Sequence, residues 1–223
     1  MIGTLNEGAL HAQLKDWYSV DGDLFEHPVD GCVIDIVRGE LLVEIQTGGF
    51  APLRKKLDRL LGSHPVRLVA PIARERRIFR MDPDGEILSS RRSPKHGRLE
   101  DVFGKLVSLP TFIQRDGFEL EVLLTVEDEY RVHQPGKSRR RKGWVTVGRR
   151  LDRVDGSTLI TSPTGLSALL PVDLPAPFTT ADLAAGLDAS RRLAQQMVYC
   201  LRELGQIEMT GKTGNSIEYL RVD

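Results

Sequence analysis

Cysteine is scarce in this chain: Cys32 and Cys200 stand far apart, each among apolar residues, with no metal-ligand spacing. The expectation is two small buried thiols in a reducing compartment. Histidine offers no metal centre either, since His27, His64 and His133 have no partners at ligand spacing and read as surface residues. No glycine-rich nucleotide-binding loop is present, which argues against ATP use by this chain alone. No apolar run approaches the roughly 20 residues of a membrane span. The opening MIGTLNEGALHAQLK has no signal-peptide core. A cytoplasmic protein without membrane partners is expected. Excess charge of one sign is lacking as well: 31 Lys and Arg balance 31 Asp and Glu. Bulk attraction to a polyanion is therefore excluded, and any nucleic-acid contact must come from local clustering of cations.

What is present is enough apolar material for a packed core, 40% of 223 residues. Residues 5–17 read as a helix with Leu5, Leu10 and Leu14 on one side, and residues 21–31 as a loop rich in Asp, Gly and Pro. CVIDIV and LLVEIQT flank Arg38-Gly39 as a β-hairpin. A helix from Pro52 to Leu61 and a nearly all-apolar strand over 65–72 follow. Residues 74–97 are charged and turn-rich, 101–113 read as a helix and 118–126 as a strand. The alternation predicts an α/β sandwich around a mixed sheet over 1–132. A basic connector, partly β, is expected over 133–165 and a small module over 166–223. That module reads as helices, the last over 189–204 and ended by Gly205, then a hairpin with a glycine-rich tip: the winged-helix order.

The leading chemical constellation is Asp35, Glu44 and Gln46. Residues two apart on a strand share a face, so Glu44 and Gln46 point the same way. With Arg38-Gly39 as the turn, Asp35 faces Leu42 and lies diagonal to Glu44. Two carboxylates on one sheet face are costly unless paired or bound to a cation, and oxygen ligands suit Mg²⁺. The competing reading is an ordinary half-exposed strand face. His11 lies one helical turn after Glu7, within reach of this site, but reads as a structural histidine in preference to a site residue, and Asp30 reads as a turn residue.

The stretch Asp35-Ile-Val with Glu44-Ile-Gln46-Thr resembles the PD-(D/E)XK nuclease superfamily, with Glu7 similar to the acid many members carry on the opening helix. The resemblance implies a restriction-endonuclease-like fold in which Asp35, Glu44 and the carbonyl of Ile45 hold Mg²⁺ or Mn²⁺, and Glu7 assists. It implies a metal-dependent deoxyribonuclease with DNA as partner, and leaves room for a homodimer. Gln46 stands where that family usually has Lys, and an amide supplies no positive charge. The family's proline is absent, Ile34 preceding Asp35. Arg139, Arg140, Arg141 and Lys142 in the connector, Arg191, Arg192 and Gln195 on the last helix, and Lys212 on the wing are the expected DNA contacts. Arg91-Arg92 with Lys95-His96 forms a second basic run, and Trp144 reads as a packing residue in preference to a base-stacking one. Two other classes remain open: a silenced nuclease fold that binds DNA, with Gln46 as the trace of lost activity, and an interaction subunit that touches no DNA.

Overall fold

The computed structural model describes residues 8–222. Glu7 lies outside the described residues, so its expected role has no geometry.

Helix α1 (Gly8–Tyr18) leads into a meander of β1 (Leu24–Val29), β2 (Cys32–Arg38) and β3 (Leu41–Ile45). Helix α2 (Arg54–Leu60) crosses over to β4 (Val66–Met81), which pairs parallel to β3 and is followed by its antiparallel neighbour β5 (Ile87–Arg92). A crossover was required because parallel neighbours cannot be joined by a tight turn. The short helix α3 (Phe103–Leu106) precedes β6 (Phe118–His133), and β7 (Trp144–Ile160) completes a seven-stranded mixed sheet in the order β1-β2-β3-β4-β6-β7, with β5 against β4. The remainder is α4 (Pro163–Ser167), β8 (Phe178–Thr179), α5 (Thr180–Gly186), α6 (Arg191–Glu203), β9 (Ile207–Thr213) and β10 (Ser216–Arg221), with a three-stranded sheet ordered β8-β10-β9. The molecule is thus an α/β protein with a large mixed sheet. Among the described residues no helix is long and apolar enough to cross a membrane.

Four expectations need correction. The loop over 21–31 contains β1, because Asp30-Gly31, both at positive φ, form a tight hairpin turn between Val29 and Cys32. The turn-rich stretch 74–97 is mostly strand. β4 continues past Ile72 because cross-strand pairs neutralise its arginines, Arg76 with Glu127 and Arg77 with Asp128. The helix over 101–113 is broken into 3₁₀ turns and the four residues of α3, since Pro110 has no N–H to continue it. The basic connector is largely β7, with Arg139–Arg141 in a single turn at the tip of the β6–β7 hairpin.

Two apolar layers hold the sheet. Leu10, Leu14 and Tyr18 of α1 pack on Ile36, Val43, Ile45, Val69 and Leu123. On the other face, Leu57 and Leu60 of α2 join a cluster running from Ile34, Leu68 and Val122 to Phe103 and on to Leu193, Met197, Cys200 and Tyr219. The C-terminal helices therefore share one core with the large sheet. Burying a single such side chain contributes about 1.5–3 kcal/mol. Burial pushes the Cys200 thiol up to about 12, as expected of a buried, unreactive thiol, whereas Cys32, also expected to be buried, is half-buried on β2. Helix α6 is capped by Ser190, whose Oγ accepts from Leu193 N–H, and Gly205 ends it at positive φ. Helix α5 carries a capping box between Thr179 and Asp182.

Candidate functional site

The ladder between β2 and β3 runs Arg38–Leu41, Val37–Leu42 and Ile36–Val43, so the turn is Gly39-Glu40 and not Arg38-Gly39. In that register Asp35 falls level with Glu44, not with Leu42. The strands part at this point. Ile45 N–H donates to Asp35 Oδ2 at 2.8 Å in place of a main-chain acceptor. Ile34 joins the cluster beneath α2 while Ile36 joins that beneath α1, so β2 is irregular at Asp35.

The two carboxylates engage opposite layers. Asp35 Oδ2 also accepts from His11 Nε2 of α1 at 3.0 Å. Glu44, 5% exposed, is paired through Oε1 with the Lys56 ammonium of α2. Burial opposes charge on Asp35, but the hydrogen bonds from His11 and Ile45 outweigh it and its pKa lies below the ordinary value. For Glu44, burial and then the nearby Asp35 charge prevail over Lys56, and its pKa is raised. Gln46 turns its amide back to Gly49 O at 2.8 Å.

His11 and Asp35 also set a pH dependence. The hydrogen bond to Asp35 raises the His11 pKa, so its contribution is full below its unfolded value of 6.5 and is lost as pH rises through the raised value. The Asp35 contribution is present above its unfolded value of 3.8 and is lost as pH falls through the depressed one. Urea denaturation of His11→Gln should show a deficit of about 1–2 kcal/mol near pH 5.5 that shrinks by pH 8.5. An equal deficit at both pH values would remove the ion pair from the account.

As placed, each of the two carboxylates has one oxygen engaged by the protein itself. Asp35 Oδ2 is saturated by two protein donors, Glu44 carries its own cation, and the described residues hold no cluster of three His, Cys, Asp or Glu side chains at metal distance. The resemblance's metal role for Asp35, Glu44 and Ile45 therefore supplies no step here.

A different feature adjoins the end of β3. A cavity of about 600 Å³ opens between the β4–β6–β7 face and the first turns of α6. Arg76, Lys95, Lys105, Arg131, Arg141, Arg149 and Arg192 line it against Asp101, Glu127 and Glu129, seven cations to three acids, an excess of four. Glu127 and Glu129 are already held, by Arg76 at 2.9 and 3.3 Å and, for Glu129, also by Arg131 at 2.7 Å. Lys105 donates to the carbonyls of Gln46 and Thr47 at 3.0 and 3.2 Å, and burial depresses its pKa to about 8. Among the described residues it makes no ion pair, a cation held in reserve.

The expected DNA contacts divide accordingly. Arg141 from the hairpin tip and Arg192 from α6 reach this cavity. Arg139 and Lys142 stay at the tip beside Arg141, Arg191 and Gln195 are exposed on α6, and Lys212 is exposed on β9, none of them lining the cavity. For Arg140 the structure describes no side chain. In the second basic run, Lys95 lines the cavity; His96 and Arg92 line a smaller one nearby. Trp144 is half-buried, under the Arg80 guanidinium at 4.7 Å and against His133. Lys56, Lys105, Arg76, Arg131 and Arg149 were missed. Strand register places Arg76, Arg131 and Arg149, and the packing of α2 and α3 against the sheet places Lys56 and Lys105, none of which is visible locally in the sequence.

Fold and site together define an α/β protein whose mixed sheet carries a cationic cavity. The chain belongs to the DUF8091 family, a domain of unknown function whose model matches residues 8–161, from α1 to the end of β7. An uncharacterized protein of Treponema pallidum (strain Nichols) is 31% identical over 185 residues, covering 82% of this chain and 73% of that protein. No solved structure matches the chain. The family region includes six of the seven cavity cations; Arg192 lies beyond it.

Proposed function

We propose that this protein binds DNA without cutting it, on a nuclease-like core whose metal centre has been replaced by internal ion pairs. The observation that carries the reading is the cavity with four cations in excess, drawn from positions between Arg76 and Arg192. Phosphate backbones are the common ligands of such arginine and lysine clusters. Two features of chain order support the ancestry. The succession α1-β1-β2-β3-α2-β4 with β3 parallel to β4 agrees with a PD-(D/E)XK core, and α4-α5-α6-β9-β10 agrees with a winged helix. Lys56 on Glu44 and His11 on Asp35 each occupy one oxygen of the carboxylates that the resemblance gives to a metal.

Fluorescence anisotropy of labelled DNA against KCl concentration tests this. With about four phosphates neutralised, log K should fall against log salt with a slope of about −3 to −4, indifferent to Mg²⁺ or Mn²⁺. A flat response, or no binding at about 50 mM salt, would sink DNA binding.

A second reading, the metal-dependent nuclease, keeps one observation in its favour: Asp35 is level with Glu44 and close enough for its charge to raise the Glu44 pKa. Cleavage of supercoiled, linear and single-stranded DNA with Mg²⁺ or Mn²⁺ separates the two. The expected result is no product. Cutting that Asp35→Ala and Glu44→Ala both abolish would restore the nuclease.

A further inference from the structure

Lys105 carries a half-buried ammonium whose hydrogen-bond partners are two main-chain carbonyls. Its nearest carboxylate influence, Glu127, is already taken by Arg76 and by Thr125 Oγ1, at 2.9 and 3.0 Å. Arg149 lies close enough to act on it as a second positive charge. A third comes from the facing helix: a side chain at Gly104 would meet the Gln196 amide at 3.5 Å, and Arg192 is one turn earlier on that same face of α6. Lys105 of α3, Arg149 of β7 and Arg192 of α6 thus line one cavity that is already positive, with Gly104 and Gln196 marking its α3–α6 end. Like charges gathered around one cavity repel one another unless an anion joins them.

We infer that this end of the cavity is a phosphomonoester site, with Lys105, Arg149 and Arg192 as its cations. The inference rests on the DNA-binding reading for its natural source, a phosphorylated strand end, but the chemistry is shared with a free nucleotide. An internal phosphodiester carries one negative charge, whereas a terminal phosphate carries close to two and presents three acceptor oxygens. A strand end also enters a cavity of about 600 Å³, where a continuous duplex stays at the rim.

The test compares single-stranded oligonucleotides of one sequence phosphorylated at the 5′ end, the 3′ end or neither, by anisotropy at fixed salt, with inorganic phosphate and a deoxynucleoside monophosphate as competitors. At least one phosphorylated strand should bind about tenfold more tightly than the unphosphorylated one. Lys105→Met, which keeps an unbranched side chain over the Phe50 ring, should erase that preference. Arg192→Gln, at an exposed position, should weaken it and guards against a folding defect in the first variant. Equal, salt-sensitive binding of all strands would overturn the phosphomonoester site and leave DNA binding intact. A preference that survives both substitutions would overturn it too. Failure of every strand to bind, with thermal stabilisation by the nucleotide that Lys105→Met removes, would support the site and reject DNA as its source.

Discussion

A Lys95→Glu/Arg192→Glu double variant should bind DNA about thirty- to a hundredfold more weakly at moderate salt, with the salt slope reduced by about two. Both side chains are exposed, line the cavity and make no ion pair among the described residues. Reversal therefore removes two phosphate contacts and adds two repulsions without breaking a native pair. Because the lost term is sequence-independent, the drop should be uniform across DNA sequences. Unchanged affinity, with the thermal midpoint also unchanged, would show that DNA is not held in this cavity. The comparison that sharpens the result is Arg191→Glu/Lys212→Glu, a pair that does not line the cavity. If that variant loses the affinity instead, the surface of α6 and β9 is the DNA-binding face.

The largest effect on stability is expected at Arg76→Leu, about 3 kcal/mol of destabilisation in urea or thermal unfolding. Its guanidinium is shared by Glu127 and Glu129, which are only 2% and 1% exposed. Removing it leaves two buried carboxylates on one strand with part of their compensation gone. Glu129 retains Arg131 and Thr146, while Glu127 retains only the Thr125 hydroxyl among its described partners. Arg76→Lys should recover only part of the loss, since an ammonium cannot present a planar fork to two acids at once. Adding Glu127→Gln to Arg76→Leu should recover more, because the buried carboxylate left with the fewest partners is then neutral. The pH dependence has a definite sign. Burial opposes the Glu129 charge, yet hydrogen bonds from Thr146 and Arg131 hold its pKa below the ordinary 4.5. Its contribution is therefore present above that value and lost as pH falls through the depressed one. Arg76 contributes to that depression, so the gap between wild type and variant should narrow toward acid. A gap that widens on acidification would contradict this account of the buried acids.

Both predictions concern a cavity whose residues are dispersed through the chain. Lys95 follows β5, Lys105 is on α3, Arg131 is on β6, Arg149 on β7 and Arg192 on α6. No local pattern unites them. The run 137–142 stands out by composition, yet one of its members, Arg141, reaches the cavity.

The local signals were legible. The β2–β3 hairpin follows from its β-branched runs, α2 from its leucine spacing, and the last hairpin from its Gly214-Asn215 turn. Asp30-Gly31 carried the same kind of turn signal for β1, outweighed by the Asp, Gly and Pro around it. By itself, then, the sequence determined an α/β chain, most of its helices, the two hairpins and the placement of Asp35 and Glu44 on adjacent strands, because caps, turns and periodicity act within a few residues. Only the tertiary structure decided where β4 and β7 end, that Asp35 and Glu44 are taken by His11 and Lys56 from opposite layers, and that cations from β4, α3, β6, β7 and α6 line one cavity. Those outcomes depend on cross-strand register and on which charges find a partner after the sheet closes, and residues far apart in the chain settle both.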